Sequence, residues 1–152
     1  MSKKGKQSPI PSPKAIRKAL GRLVRNGADP YWVGEDGYVL LGLRCVEDRV
    51  DKDFKGKPEA SALALIEILR ERVEEIEKKP TRKLLWIIFD FDRDYPDSTA
   101  KVRRTVAGER FREGKKPVTH GTVRQYHEPR ALDRLSELLV DYERRARGAS
   151  NE

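Results

Sequence analysis

Leu84-Leu85-Trp86-Ile87-Ile88-Phe89-Asp90-Phe91-Asp92-Arg93-Asp94 is the stretch on which the reading of the fold turns. Six apolar residues in a row, several β-branched or aromatic, fit a strand buried on both faces. The run is short for a helix, and charged residues and Pro80 close in on it. It stops at carboxylates. On an extended chain Asp90 and Asp92 point to the same side, and Asp94 continues the row. Pro96 and Asp97 announce a turn. Open α/β sheets carry ligands just beyond the carboxyl ends of their strands, so the acidic row stands where a site is expected.

Upstream, Tyr31-Trp32-Val33 and Tyr38 to Val46 read as two strands joined by Gly34-Glu35-Asp36-Gly37, a hairpin signal. The second strand runs out into Glu47, Asp48, Asp51 and Asp53. Pro58 fits the first position of a helix whose stripe is Ala62, Leu65, Ile66, Leu69, Val73 and Ile76. Strand, helix and strand then make a βαβ unit with acids at both strand ends. An earlier helix begins at Lys14, with Ile16, Ala19, Leu20, Leu23 and Val24 inward, and Asn26-Gly27 ends it.

Beyond the acidic row, Asp97 or Ser98 caps a further helix, which Gly108 weakens in its middle. Val118 to Tyr126 reads as a last strand, with Gly121 against it. His120 and His127, the two histidines, could each ligate a metal or carry a proton. Glu128-Pro129 opens a final helix with Ala131, Leu135, Leu138, Leu139 and Tyr142 inward. The expectation is one α/β domain over residues 14–147: a mixed parallel and antiparallel sheet of about four strands with helices packed on it. Residues 1–13 form a basic, proline-punctuated arm and residues 148–152 a frayed end.

Composition narrows the function. At 152 residues the chain is large enough for one core, yet its 37% hydrophobic fraction is matched by 38% charged. A net charge of +8 favours a polyanionic partner, nucleic acid above all. No apolar run is long enough for a membrane span and no secretory signal is visible, so a cytoplasmic protein without a membrane partner is expected. The one cysteine, Cys45, excludes an intrachain disulfide and an all-cysteine metal cage. Lys14, Arg17, Arg22, Lys101, Arg103, Arg104, Lys115 and Lys116 are the candidate phosphate contacts.

Ile87-Ile88-Phe89-Asp90-Phe91-Asp92-Arg93-Asp94-Tyr95-Pro96, followed by Lys101-Val102-Arg103-Arg104-Thr105, resembles the Asp-x-Asp segment of Toprim domains. The resemblance spans Tyr38 to Tyr126. It implies a magnesium site in which Glu47, Asp90 and Asp92 carry the chemistry on phosphodiesters, with Asp94 as a further metal ligand. No glycine follows Glu47, where the family has one. Asp90-Phe91-Asp92 also resembles the nucleophile motif of haloacid-dehalogenase phosphatases, but Asp94 stands where that motif has Thr or Val.

Two readings follow. One is a magnesium-dependent nuclease or phosphotransferase that binds DNA or RNA. The other is a non-catalytic module that binds nucleic acid or a protein partner, with its aspartates capping or paired.

Overall fold

The computed structural model describes residues 9–150, with side chains to residue 148. The lysines of the expected basic arm, Lys3, Lys4 and Lys6, lie outside the described residues. Among those described there is no strand. The fold is all-helical, and the expected four-stranded α/β sheet is corrected accordingly.

Among the described residues nine α-helical segments follow one another: α1 Pro13–Leu23, α2 Pro30–Asp36, α3 Tyr38–Leu41, α4 Arg44–Arg49, α5 Ala60–Glu74, α6 Lys79–Phe89, α7 Ala100–Arg110, α8 His120–Thr122 and α9 Glu128–Ser150. A π-helical turn, Val50–Phe54, extends α4, and another, Val123–His127, joins α8 to α9 into one continuous rod. That rod is the axis of the molecule: α1, α4, α5 and α6 all pack on α9, and α7 lies against α6 and across the head of the rod. Ile16, Leu20, Leu65, Leu69, Leu85, Ile88, Leu135 and Leu139 fill the space between them.

The decisive stretch is helix α6. Pro80 stands in its first turn, where a missing N–H costs nothing. Leu84, Leu85, Ile88 and Phe89 are buried at helical spacing, whereas Trp86 and Ile87 are only partly covered. β-Branched residues in a helix cost only a few tenths of a kcal/mol each, which packing against α7 and α9 outweighs. Trp86 therefore flanks the core instead of occupying a central strand.

Asp90 ends α6 in the left-handed conformation, φ 54°. The Phe91 N–H reaches back to the Trp86 carbonyl at 3.2 Å, closing a Schellman-type terminus. Two helix ends then meet, because the Ala28 N–H donates to the Phe89 carbonyl at 2.7 Å. Gly27, at φ 73°, makes room for this. A Cβ there would lie 3.0 Å from the Phe89 oxygen.

The expected hairpin is also helical. Asp29 accepts the Tyr31 N–H at 2.9 Å and Pro30 takes the first helical position, so α2 begins where the first strand was expected. α4 replaces the end of the second strand, and its first amides donate to a side chain 98 residues away. Gly108 does not break α7. It lets the backbone of Val118 lie on the helix, where a Cβ would stand 2.2 Å from the Val118 oxygen. Thr119 then caps the rod by accepting the Thr122 N–H at 3.2 Å, so Val118 to Tyr126 is a loop end and a helix head, not a strand.

Candidate nucleic-acid interface

Without a sheet, the acidic residues lose the geometry that would gather them. Glu47 sits exposed on α4. Asp90 is buried at 4% exposure, and its carboxylate accepts the N–H groups of Asp94 (2.8 Å) and Tyr95 (3.1 Å), so it shapes the turn that follows α6. Asp92 and Asp94 are exposed on that turn, beside Trp86 on the wall of a 570 Å³ groove. Among the described residues no three histidine, cysteine or carboxylate side chains gather to hold an ion. Magnesium prefers octahedral oxygen ligands, and the Asp90 oxygens are already committed to backbone amides. Glu47, Asp90, Asp92 and Asp94 are therefore not gathered into such a group among the described residues.

The expected phosphate contacts divide into two groups. Arg103 turns inward and is 1% exposed. Its guanidinium donates to the carbonyls of Val24 (2.8 Å), Arg25 (2.8 Å) and Ile88, and its Nε to Ser98 Oγ (3.1 Å). A cation among the last carbonyls of α1 and α6 complements both dipoles. Burial pushes its pKa below the usual arginine value, and Asp90 opposes that shift. Arg104 pairs in bidentate fashion with the buried Glu128, at 2.7 and 2.9 Å. Arg17 pairs with Asp133 at 2.9 Å. Arg103 and Arg104 are structural cations, whereas the Arg17 pair lies at the surface.

Lys14, Arg22, Lys101, Lys115 and Lys116 remain exposed and make no ion pair among the described residues. Lys115 and Lys116 stand on the loop between α7 and the head of the rod. There the chain concentrates its charge: from Ala100 to Arg130, nine Lys and Arg face three Glu. Two of those glutamates are spent, Glu113 on Lys79 and Lys83 and Glu128 on Arg104. Arg112, Lys115, Lys116, Arg124 and Arg130 have no carboxylate partner among the described residues.

Aromatic rings are interleaved with these cations, which the spacing of Phe111, Arg112, Arg124, Tyr126, His127 and Arg130 could have suggested from the sequence. Tyr126 is half exposed, and Arg130 lies over its ring at 4.2 Å. His127 meets Tyr126 edge-on at 4.9 Å and Phe111 at 4.8 Å, and Arg112 lies 5.2 Å from the Phe111 ring. Burial, then Arg112 and Arg130, hold the His127 pKa below its ordinary value. Neither metal binding nor proton transfer is asked of it here. The π-turn that carries these rings widens the helix at this point, a feature frequent at functional sites.

Protein-family models, curated protein sequences and solved structures were compared with the chain, and none matches. Among the described residues no helix is long and apolar enough to cross a membrane.

Proposed function

We propose that this helical protein binds nucleic acid through the head of its central rod, with no covalent step. The observation that carries the reading is the set of cations on one loop and one helix head: Arg112, Lys115, Lys116, Arg124 and Arg130. None has a carboxylate partner among the described residues, and a half-exposed ring stands among them. Desolvated ion pairs fix a fold, whereas cations without a carboxylate partner, exposed at Lys115, Lys116, Arg124 and Arg130 and half-buried at Arg112, can displace counterions from a phosphate backbone. Lys101, exposed at the start of α7, adds a further unpaired cation. Lys14 and Arg22, with Lys18 and Arg25, form a second basic strip along α1.

The test is a titration of mixed-sequence DNA and RNA fragments across salt. With about five phosphates engaged, log K falls against log salt with a slope of roughly −3.5 to −4.5. No binding at low salt, or binding indifferent to salt, overturns the reading.

A second reading, contact with a protein partner, draws on another surface. Tyr31 and Tyr38 are 64% and 67% exposed, and Trp32, edge-on to Tyr31 at 5.0 Å, is 40% exposed. Exposed aromatics of this kind are enriched at protein interfaces.

A further inference from the structure

A groove runs beneath the head of the rod, between the start of α6 and the end of α7. Its volume is about 440 Å³, within the range of pockets that enclose a small organic group. Ile76, Leu84, Phe111 and Ala131 give it an apolar floor. Tyr126 and His127 form one wall, and Lys78, Arg112 and Arg130 stand on the rim. Glu77 is the one carboxylate among its described lining residues.

We propose that this groove receives an unpaired base, so that the nucleic acid bound is single-stranded and not a duplex. The inference rests on the nucleic-acid reading above and narrows it. A surface that met only a duplex backbone would need cations and a matching shape, with no use for an apolar hollow between them. In a duplex the base faces are stacked and cannot enter a side groove. In a single strand they are free, and a base can lie on an aromatic wall while its flanking phosphates meet guanidinium groups. The groove supplies both parts in the right order, with apolar floor and rings inside and cations outside. At neutral pH the depressed pKa of His127 leaves that wall an uncharged ring, suited to stacking. The sugar is not distinguished by this chemistry, so DNA and RNA single strands are both ligands.

The experiment measures fluorescence anisotropy of a short labelled DNA strand, its RNA equivalent, and the DNA duplex of the same sequence, at one salt concentration. Either single strand binds about tenfold more tightly than the duplex, the scale expected of one stacked base. Thr81, half-buried in the first turn of α6, lines the groove. Thr81→Trp fills it and removes the difference, leaving duplex affinity unchanged. Tyr126→Ala, at a half-exposed position, removes the difference by deleting the wall, and it carries the test if the tryptophan variant does not fold. Equal or tighter binding of the duplex by the wild type overturns the inference while sparing the electrostatic reading. So does a single-strand preference that survives in both variants. Failure to bind either form at low salt overturns both.

Discussion

The two ends of the central rod handle charge in opposite ways. Towards its C-terminus, Glu143 is fully buried and every contact it makes is structural. It accepts the first N–H groups of α4, from Arg44 and Cys45 at 2.9 Å each, and Arg147 Nε at 2.7 Å. Nearby, Arg49 holds Glu67, Glu71 (2.8 Å) and the Tyr142 hydroxyl (2.8 Å), which raises its pKa above the usual arginine value. At the head, the buried Glu128 takes up Arg104 alone, and Arg112, Lys115, Lys116, Arg124 and Arg130 stand without a carboxylate partner among the described residues. Charge of the first kind is consumed in holding α4, α5 and α9 together; charge of the second kind adds little to the fold, and on the function proposed above it is what a ligand meets. The comparison explains why a basic composition alone does not locate an interface.

The difference can be broken by mutation. Glu143→Ala removes the acceptor of the Arg44 and Cys45 amides and the carboxylate to which Arg147 Nε donates, at a cost of about 3–5 kcal/mol. For a chain of this size that lowers the melting temperature by roughly 10 °C. Thermal melts should show this loss, while the folded fraction keeps its affinity for nucleic acid. A Glu143→Ala protein that melts with the wild type would remove the structural half of the comparison.

Arg103 is the cation whose place in the sequence most resembles the head and whose role most resembles the tail. Arg103→Met strips donors from three carbonyls at the ends of α1 and α6, and costs roughly 2–4 kcal/mol in denaturant unfolding. Arg103→Lys should rescue little of it, since an ammonium cannot reach all four acceptors at once. Full stability in the lysine variant would show that the guanidinium fork is not what joins the two helix ends.

Asp90 offers a smaller effect. Asp90→Ala loses the acceptor of the Asp94 and Tyr95 amides and puts a less tolerant residue at φ 54°, costing roughly 1–2 kcal/mol. Asp90→Asn keeps one acceptor and tolerates the left-handed conformation, so it should fall between the two. Asn and Ala variants of equal stability to the wild type would end the capping account.

The smallest effect is one of pH, and it belongs to the head. His127 has a folded pKa below its unfolded value of about 6.5, so its contribution to stability is complete above that pH. It is lost as pH falls through the unfolded value towards the folded one, because burial, and then Arg112 and Arg130, disfavour the charged ring. Melting temperatures between neutral pH and pH about 5 should therefore fall less steeply in His127→Gln than in the wild type. Identical slopes would show that the ring is not held neutral by its neighbours.

The helices whose apolar residues recur at three and four were legible in the sequence. Every residue read as the inner stripe of α1 is buried, as are five of the six read in α5, Ile66 alone being partly exposed. α6 was not legible, since a continuous apolar run has no period, and both of its sides are apolar because α7 and α9 cover them. α2 carried a local sign, Asp29-Pro30, that the β-forming aromatics after it obscured. α4 carried none. Its start is held by Glu143, a contact remote in sequence.

The interface was legible in the same uneven way. Lys101, Lys115 and Lys116 were named from charge and are exposed. Arg103 and Arg104 stand two and three residues from Lys101, yet they turn into the protein to meet carbonyls and Glu128. Charge alone cannot separate these cases, because the deciding partners lie elsewhere in the chain. The rings of Tyr126 and His127 became part of the surface only once the expected strand became a helix head.

The central claim is that the head's unpaired cations bind and the tail's paired ones do not. A single series of salt titrations on a labelled nucleic-acid strand tests it, comparing the wild type with the quadruple variant Arg112→Gln, Lys115→Gln, Lys116→Gln, Arg124→Gln. The account expects that variant to lose on the order of a hundredfold in affinity at low salt and most of the salt slope. Its melting temperature should fall by only a few degrees, because Lys115, Lys116 and Arg124 are exposed and contribute within about 0.5 kcal/mol each, while the half-buried Arg112 gives up one hydrogen bond to the Lys116 carbonyl, about 1 kcal/mol. A quadruple variant that binds as tightly as the wild type, with the same dependence on salt, would contradict the account.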